Sequence, residues 1–265
     1  MSNYLLQNSS AKTEFERLQL IENIYNQTSF SLLTQAGINV GWKCLEIGAG
    51  AGGVAKWMAQ KVTKKGAVVA VDINPIYLQN DDNITTIQAD VCQDNTLPNE
   101  EYDCVFSRFV LEHLANSQVA INNMVKRVKN NGYILLETLD LSKFSPDPNS
   151  CSQDEYVAVC NLFKAHEQLR VNRGDNLIIG RSLASSLQQY GLKIISVNVD
   201  YPLVNGGSPV ANLMAKSFSQ IQSLLLDTQL TTKHDIEIYQ RLALDQKFWC
   251  FYQAVVSVLA QKIMI

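Results

Sequence analysis

No two cysteines in this sequence form a Cys-x-x-Cys pair; Cys44, Cys92, Cys104, Cys151, Cys160 and Cys250 are scattered through apolar runs and loops. That spacing argues against a disulfide framework or a cysteine-built zinc site and fits reduced thiols, so no metal is expected. Nor is positive charge in excess. The 22 Lys and Arg face 25 Asp and Glu, the formal net charge is -3, and the basic residues are dispersed. Affinity for a phosphate backbone needs clustered cations, so nucleic acid is not an expected partner. A long hydrophobic run is missing too. The stretch "AVVSVLAQKIMI" at 254–265 is far short of the about 20 residues that span a bilayer, and Ser257, Gln261 and Lys262 break it, so it reads as a strand. The opening "MSNYLLQNSS" lacks the basic-then-apolar order of a secretion signal. Together these absences predict a cytoplasmic chain without membrane insertion.

What is present suits a globular enzyme. At 46% hydrophobic residues a sizeable core can form, and no internal repeat, low-complexity segment or linker divides residues 1–265, so a single domain is expected. Nothing in the sequence separates a homodimer face from ordinary surface, and a homodimer stays open. Residues 13–38 begin with Thr13 and Glu16 in capping-box spacing and keep a helical period up to Gly37. From residue 43 the texture changes. Short β-rich runs at 43–47, 67–73, 84–89, 103–108 and 132–138 alternate with helical stretches at 54–62 and 117–128. This alternation predicts βαβ units and a parallel sheet, with all strand carboxyl ends on one ligand-binding edge. After residue 140 a turn-rich connector, a helix-like stretch, a helix at 180–191, a strand at 192–202 and a helical region at 208–247 precede the last strand. The expected division is an N-terminal helical segment at 1–40, a cofactor-binding core at 41–140, and cap insertions at 141–178 and 208–247.

The stretch "LEIGAGAGGVA" at 45–55 poses the central question. Gly48, Gly50 and Gly53 satisfy the dinucleotide fingerprint G-x-G-x-x-G, which keeps an NAD(P)-dependent oxidoreductase in view. Glu46, however, ends the first strand where a pyrophosphate would be repelled. A carboxylate there suits a ligand with a cationic group instead. S-adenosylmethionine carries an α-ammonium and a sulfonium and no phosphate, so Glu46 would anchor its ammonium, directly or through water; the plainer alternative is a carboxylate bonded to the loop's own N–H groups. Asp72, closing the second strand, can accept from both ribose hydroxyls of either nucleoside; its alternative is an N-cap for a helix starting near Pro75. Asp90 follows the third strand, placed for an adenine amino group. No tyrosine has a lysine four positions on, as a short-chain dehydrogenase would want.

Taken in order, Glu46-x-Gly48-x-Gly50-x-Gly52, Asp72, Ala89-Asp90-Val91, "YDCVFSRFVLEHL" and "NGYILLETLD" resemble the successive motifs of class I S-adenosylmethionine-dependent methyltransferases. The branch they are most similar to is the small-molecule group of ubiquinone and menaquinone biosynthesis methyltransferases. The resemblance covers most of the chain. It implies a Rossmann-like α/β sandwich, a seven-stranded mostly parallel sheet with an antiparallel last strand. It also implies direct in-line methyl transfer to a small molecule, with S-adenosylhomocysteine as product. Carried over residue by residue, Gly48, Gly50 and Gly52, with Ala49 between them, would let the backbone approach the methionine moiety. Asp72 and the adjoining Ile73 would hold the ribose, Asp90 and Val91 would border the adenine, and Phe106 and Ser107 would flank the methionyl part. Two departures stand out: "NNGY" replaces a Pro-Gly-Gly turn, and "AQK" replaces Gly-Arg-Lys near the last strand.

In such a reaction the sulfonium already activates the methyl. Orientation supplies about 7–11 kcal/mol, against roughly 3–5 kcal/mol for a general base. His113 is the best base candidate, although a structural helix-start residue would read the same. Glu112 reads as a helix-terminal charge, and His166 and His234 as solvated. Tyr4 would cover the sulfonium through a cation–π contact if the N-terminal segment folds over the cofactor. Phe109, Phe144, Phe163, Phe248 and Trp249 are candidates for an apolar acceptor pocket, with Asp140 and Asp147 for a polar substrate group. Oxygen or nitrogen is favoured over carbon as the acceptor atom, and no Asn-Pro-Pro-Tyr-like tetrapeptide follows the fourth strand. The other class left open is a non-catalytic S-adenosylmethionine-binding regulatory protein.

Overall fold

The computed structural model describes residues 11–141 and 144–263, which leaves Tyr4 outside the described residues. The first helix, α1 (Ala11–Gln35), already includes Thr13, which is therefore inside the helix rather than its cap. Then come β1 (Lys43–Ile47), α2 (Gly53–Val62), β2 (Ala67–Asp72), β3 (Ile84–Gln88), β4 (Tyr102–Arg108), α3 (Ser117–Lys126) and β5 (Val128–Asp140). The remainder is β6 (Ser145–Pro146), α4 (Gln153–Asn172), α5 (Ile179–Gln189), β7 (Leu192–Asp200), β8 (Leu203–Asn205), α6 (Pro209–Gln220), α7 (Gln222–Asp227), α8 (Lys233–Leu242), β9 (Trp249–Phe251) and β10 (Ala254–Lys262).

Seven strands form one sheet in the order β3-β2-β1-β4-β5-β10-β7. Pairings from β3 through β5 are parallel, and β10 runs antiparallel to both neighbours. The expected sheet, reversed last strand included, is the one observed. Its inner strands are apolar on both faces, as a doubly covered sheet requires. One face packs Leu33 of α1 and Met58 of α2 onto Cys104, Phe106, Leu135 and Leu259. The other packs Ile121 and Met124 of α3 and Leu183 and Leu187 of α5 onto Val105, Leu136 and Val258.

Beyond β5 the chain builds a second layer that periodicity alone did not resolve. The helices α4, α6, α7 and α8 enclose an aromatic cluster of Phe163, Phe218, Tyr239, Phe248 and Tyr252. Local chemistry sets where these helices begin. Ser152 with Glu155 and Thr232 with Asp235 form capping boxes for α4 and α8, and Ser208 caps α6 ahead of Pro209. A small antiparallel sheet, β6-β9-β8, pins the connector after β5 to the segment preceding β10. None of the helices among the described residues is long and apolar enough to cross a membrane.

Phe218 is central to this layer, fully buried and within 5.9 Å of Phe163 and 5.3 Å of both Tyr239 and His166, ring centre to ring centre. Phe218→Ala is expected to lower the unfolding free energy by about 3–5 kcal/mol, read by urea unfolding, because the cluster cannot collapse into the space left behind.

Candidate active site

β1 and β4 are neighbours although the chain between them first runs outward through β2 and β3. The crevice at their carboxyl ends is therefore the topological switch point, where open α/β sheets bind ligands. A cavity of about 670 Å³ lies there, walled by α1 on one side and α6 on another.

Its floor begins with the glycine loop. Gly48 and Ala49 both donate to Val71 O, at 2.8 and 3.1 Å, which tucks the loop against β2. Gly48 has φ +75°, and a Cβ there would lie 2.2 Å from Val110 Cγ2, so no side chain fits. Asp72 ties the loop from the other strand: Gly50 N and Asn74 N donate to its two carboxylate oxygens, each at 2.9 Å. No helix starts at Pro75, where the chain turns instead, so Asp72 is not an N-cap. Its carboxyl is raised above the usual range by burial and held back by these N–H groups.

The N-terminus of α2 is already engaged. Gly53 N donates to Glu22 Oε1 of α1 at 2.6 Å, and the nearby Ala55 N–H favours the ionised form of Glu46. The helix end that would carry a pyrophosphate thus faces two carboxyl groups of the chain itself. Glu46 is 3% exposed, and its Oε2 has no hydrogen-bond partner among the described residues. Burial pushes its carboxyl up to about 8; Arg108 pulls it down, and Glu22 and Asp72 push it further up. Next to it Arg108, from the end of β4, donates to Ser29 Oγ and Asn26 Oδ1 of α1, both at 2.8 Å. Ser29 Oγ also bonds Glu137 of β5, whose other oxygen accepts from Ser257 of β10 at 2.9 Å. A buried polar chain therefore fastens α1 to three strands beneath the cavity.

Farther along the cavity lie His113, His166 and Arg170. Arg170 Nη2 stands 3.2 Å from His113 Nδ1. A guanidinium only donates, so Nδ1 accepts and the neutral ring carries its proton on Nε2. Burial, then Arg170, Arg17 and Arg173, hold His113 well below the usual imidazole range. The ring nitrogen that could take up a proton is therefore already accepting from Arg170, where the sequence suggested a base.

The structure gathers most of the residues singled out from sequence. Glu46, Gly48, Ala49, Gly50, Asp72 and Ile73 line the cavity at the glycine loop, and Asp90, Val91, Phe109 and His113 line it further on. Asp90 accepts from Cys92 N at 2.9 Å, which closes the turn after β3. Others fall elsewhere for identifiable reasons. Gly52 caps α2 at φ +86° behind the cavity wall. Phe106 points into the core beside α2, and Ser107 is buried in β4; the strand reaches the cavity only at Arg108 and Phe109. Asp140 is tied to Arg181 Nε at 2.6 Å, Asp147 accepts from Asn149 N, and Phe144 stacks on Phe163 at 4.2 Å within the aromatic cluster. Phe163 and Phe248 belong to that cluster too, while Trp249 is partly exposed. Two expectations are corrected outright. His166 is buried on the cavity wall, not solvated, and Glu112 is fully buried and accepts from Thr138 Oγ1 at 2.8 Å. Sequence reasoning missed Arg17, Glu22, Arg108 and Arg170. Glu137 left one signal, a charge inside the apolar run of β5.

Residues 17–197 match the sequence model of a family described as a methyltransferase domain. Curated relatives include the ubiquinone/menaquinone biosynthesis C-methyltransferase UbiE of Coxiella burnetii, 28% identical over 134 residues, 47% of this chain and 52% of that protein. The chain thus spans about half the length of the curated relatives it matches. Among solved structures it is similar to a candidate methyltransferase of Bacillus halodurans C-125, at TM-score 0.58 and 17% identity over 88% of this chain and 98% of that one. It is also similar to phosphoethanolamine N-methyltransferase 2 of Haemonchus contortus, solved with phosphomonomethylethanolamine and S-adenosylhomocysteine, at TM-score 0.54 and 15% identity over 93% and 57% of the respective chains. At these identities the likeness to the solved structures is one of fold.

Arg108→Met tests the buried chain under the cavity. Losing one partner of a buried charge pair costs about 3–5 kcal/mol. Without the guanidinium, Glu46 and Glu137, both already raised by burial, keep their protons to higher pH in the folded protein, whereas the unfolded chain releases them above the ordinary 4.5. Because the unfolded chain is the same in both proteins, the deficit grows only where the wild-type carboxyl has released a proton that the variant retains, so Glu46's share is expected to open as pH rises from neutrality through about 8. Urea unfolding across that range measures it, and a deficit independent of pH would contradict the assignment.

Proposed function

This chain belongs to the methyltransferase-domain family, whose methyl donor is S-adenosylmethionine, and we propose that it methylates a small molecule bound between the sheet edge and the cap segments 141–178 and 208–247. The observation that carries this reading is Glu46: a buried carboxyl with one unpartnered oxygen, on the cavity floor between a left-handed glycine loop and Asp72. A site built for pyrophosphate would not direct two carboxyl groups at the helix end. A site for a ligand that is cationic at one end and a nucleoside at the other would.

In this reading Glu46 holds the donor's ammonium, the backbone at Gly48 and Gly50 leaves room for the methionyl chain, Asp72 takes the ribose hydroxyls, and Asp90 with Val91 borders the adenine. When bound, the donor supplies a methyl already activated by its sulfonium. The chain's own part is to orient and to exclude water, and α1 does both, with Ile21, Glu22 and Tyr25 on the cavity wall and Arg108 fastening the helix down. Oxygen or nitrogen remains the favoured acceptor atom. His113 has its Nδ1 engaged by Arg170, so the site suits an acceptor that needs little help in losing a proton.

Calorimetric titration with S-adenosylmethionine, S-adenosylhomocysteine and NADH tests the donor assignment. The two sulfur nucleosides are expected to bind and NADH is not. Asp72→Ala should weaken the nucleosides at least about tenfold, since a charge-assisted hydrogen bond contributes about 1.5–3 kcal/mol and 1.4 kcal/mol is a factor of ten. Binding of NADH without the sulfur nucleosides would overturn the proposal.

A further inference from the structure

The seven-stranded sheet ends differently at its two edges. At one, β3 is only five residues long and the chain covers it itself: Asn80 Oδ1 accepts from Thr86 N and Thr86 Oγ1, at 2.7 and 2.8 Å. At the other, β7 runs for nine residues, and no strand pairs with its outer side among the described residues. Such an edge presents a row of backbone N–H and C=O groups, which proteins guard with proline, charge, a bulge or a covering segment. β7, "LKIISVNVD", has no proline, and its two charges, Lys193 and Asp200, stand near its ends. The uncharged middle is apolar and open: Ile195 is 37%, Val197 49% and Val199 63% exposed.

Pairing with β10 fixes the face that each residue takes, because directly opposed residues of antiparallel strands share a face. Val197, Val199 and Ile194 oppose Val258, Val256 and Ala260, which belong to the core on the α5 side. Ser196 opposes Leu259 of the α1-side core, and its hydroxyl reaches Gln35 of α1 at 3.4 Å. Lys193, Asn198 and Asp200 lie on that α1 side as well, opposite Gln261, Ser257 and Val255. Between Ile194 and Ser196 the register slips at a bulge that leaves Ile195 without a partner on β10. The alternation of β7 itself shifts there, so a strand laid along its outer side must set one residue against two.

A second β7 meets that condition. Place two copies antiparallel, with a twofold axis at Val197, so that Val197 faces Val197 of the second copy. Asn198 then faces the bulged pair Ile195 and Ser196, Val199 faces Ile194, and Asp200 faces Lys193, with Val199 and Ile194 on the α5 side and the two charges on the α1 side. The twofold repeats every contact in reverse, so apolar side chains meet along the middle and opposite charges meet at both ends. We infer that this chain forms a homodimer by antiparallel pairing of β7 with β7 of a second copy, joining two sheets into one. No residue of β7 lines the cavity, so the inference stands apart from the reaction proposed above.

The test is sedimentation equilibrium of the full chain over a range of micromolar concentrations. The wild-type protein is expected to dimerise reversibly. Val197→Lys sets like charges on the axis and should leave a monomer. Lys193→Asp and Asp200→Lys should each weaken the dimer about tenfold or more, since each acts twice in the symmetric pair, and the double variant K193D/D200K should restore it. All three positions are exposed, and unchanged far-ultraviolet circular dichroism checks that the variants keep the fold. A monomer at every concentration overturns the inference. So does a dimer that Val197→Lys leaves intact, which places the interface elsewhere, or a loss in the single charge variants that the double does not repair.

Discussion

A buried carboxyl at the end of β1 organises this protein. Glu46 sits where β1 gives way to the glycine loop, and three things converge on it: the N-terminus of α2, the guanidinium of Arg108 at the end of β4, and the cavity. Burial holds its proton to about 8, whereas in the unfolded chain the same group ionises near 4.5. In the empty protein it therefore opposes folding increasingly as pH rises between those values. A carboxyl so placed costs stability in the folded chain, and the nearby Arg108 guanidinium offsets part of that cost by favouring its ionised form.

The consequences reach outward from there. Because Arg108 bonds Ser29 and Asn26, it anchors α1 over the crevice; because Ser29 meets Glu137 and Glu137 meets Ser257, the same chain crosses β5 to β10. Glu22, one turn earlier on α1, closes the helix end that a phosphate would otherwise use. The N-terminal helix is thus a structural wall of the site, made part of it by polar contacts as well as by packing. The cap contributes the opposite wall, and Arg170 is its link to the segment that follows β4.

Sequence made the local part of this arrangement legible. Strand, glycine loop and Asp72 lie close together in the chain, and their chemistry is set by backbone geometry that few residue types permit. The sheet followed from its alternation with helices, and the reversed last strand from the resemblance. What stayed hidden depends on distance along the chain. Glu22 meets Gly53 and Ser29 meets Glu137 across long separations, and no periodicity announces such meetings. His166 reads as solvated because α4 is polar on average, yet its position among Phe144, Phe218 and Arg170 buries it. Phe106 and Phe144 show the reverse error: an aromatic near a site in sequence is more often packed in a core, and both are.

The most direct test of the central claim is proton release on donor binding. If Glu46 receives the ammonium, a carboxyl protonated at neutral pH must ionise as the complex forms. Calorimetric titration of S-adenosylhomocysteine at pH 7 in buffers of different ionisation enthalpy should then report release of most of one proton. Affinity should rise as pH approaches about 8, and the Glu46→Gln variant should lose both the release and most of the affinity. Binding without buffer dependence, or a Glu46→Gln variant that binds as tightly and releases the same proton, would contradict the account.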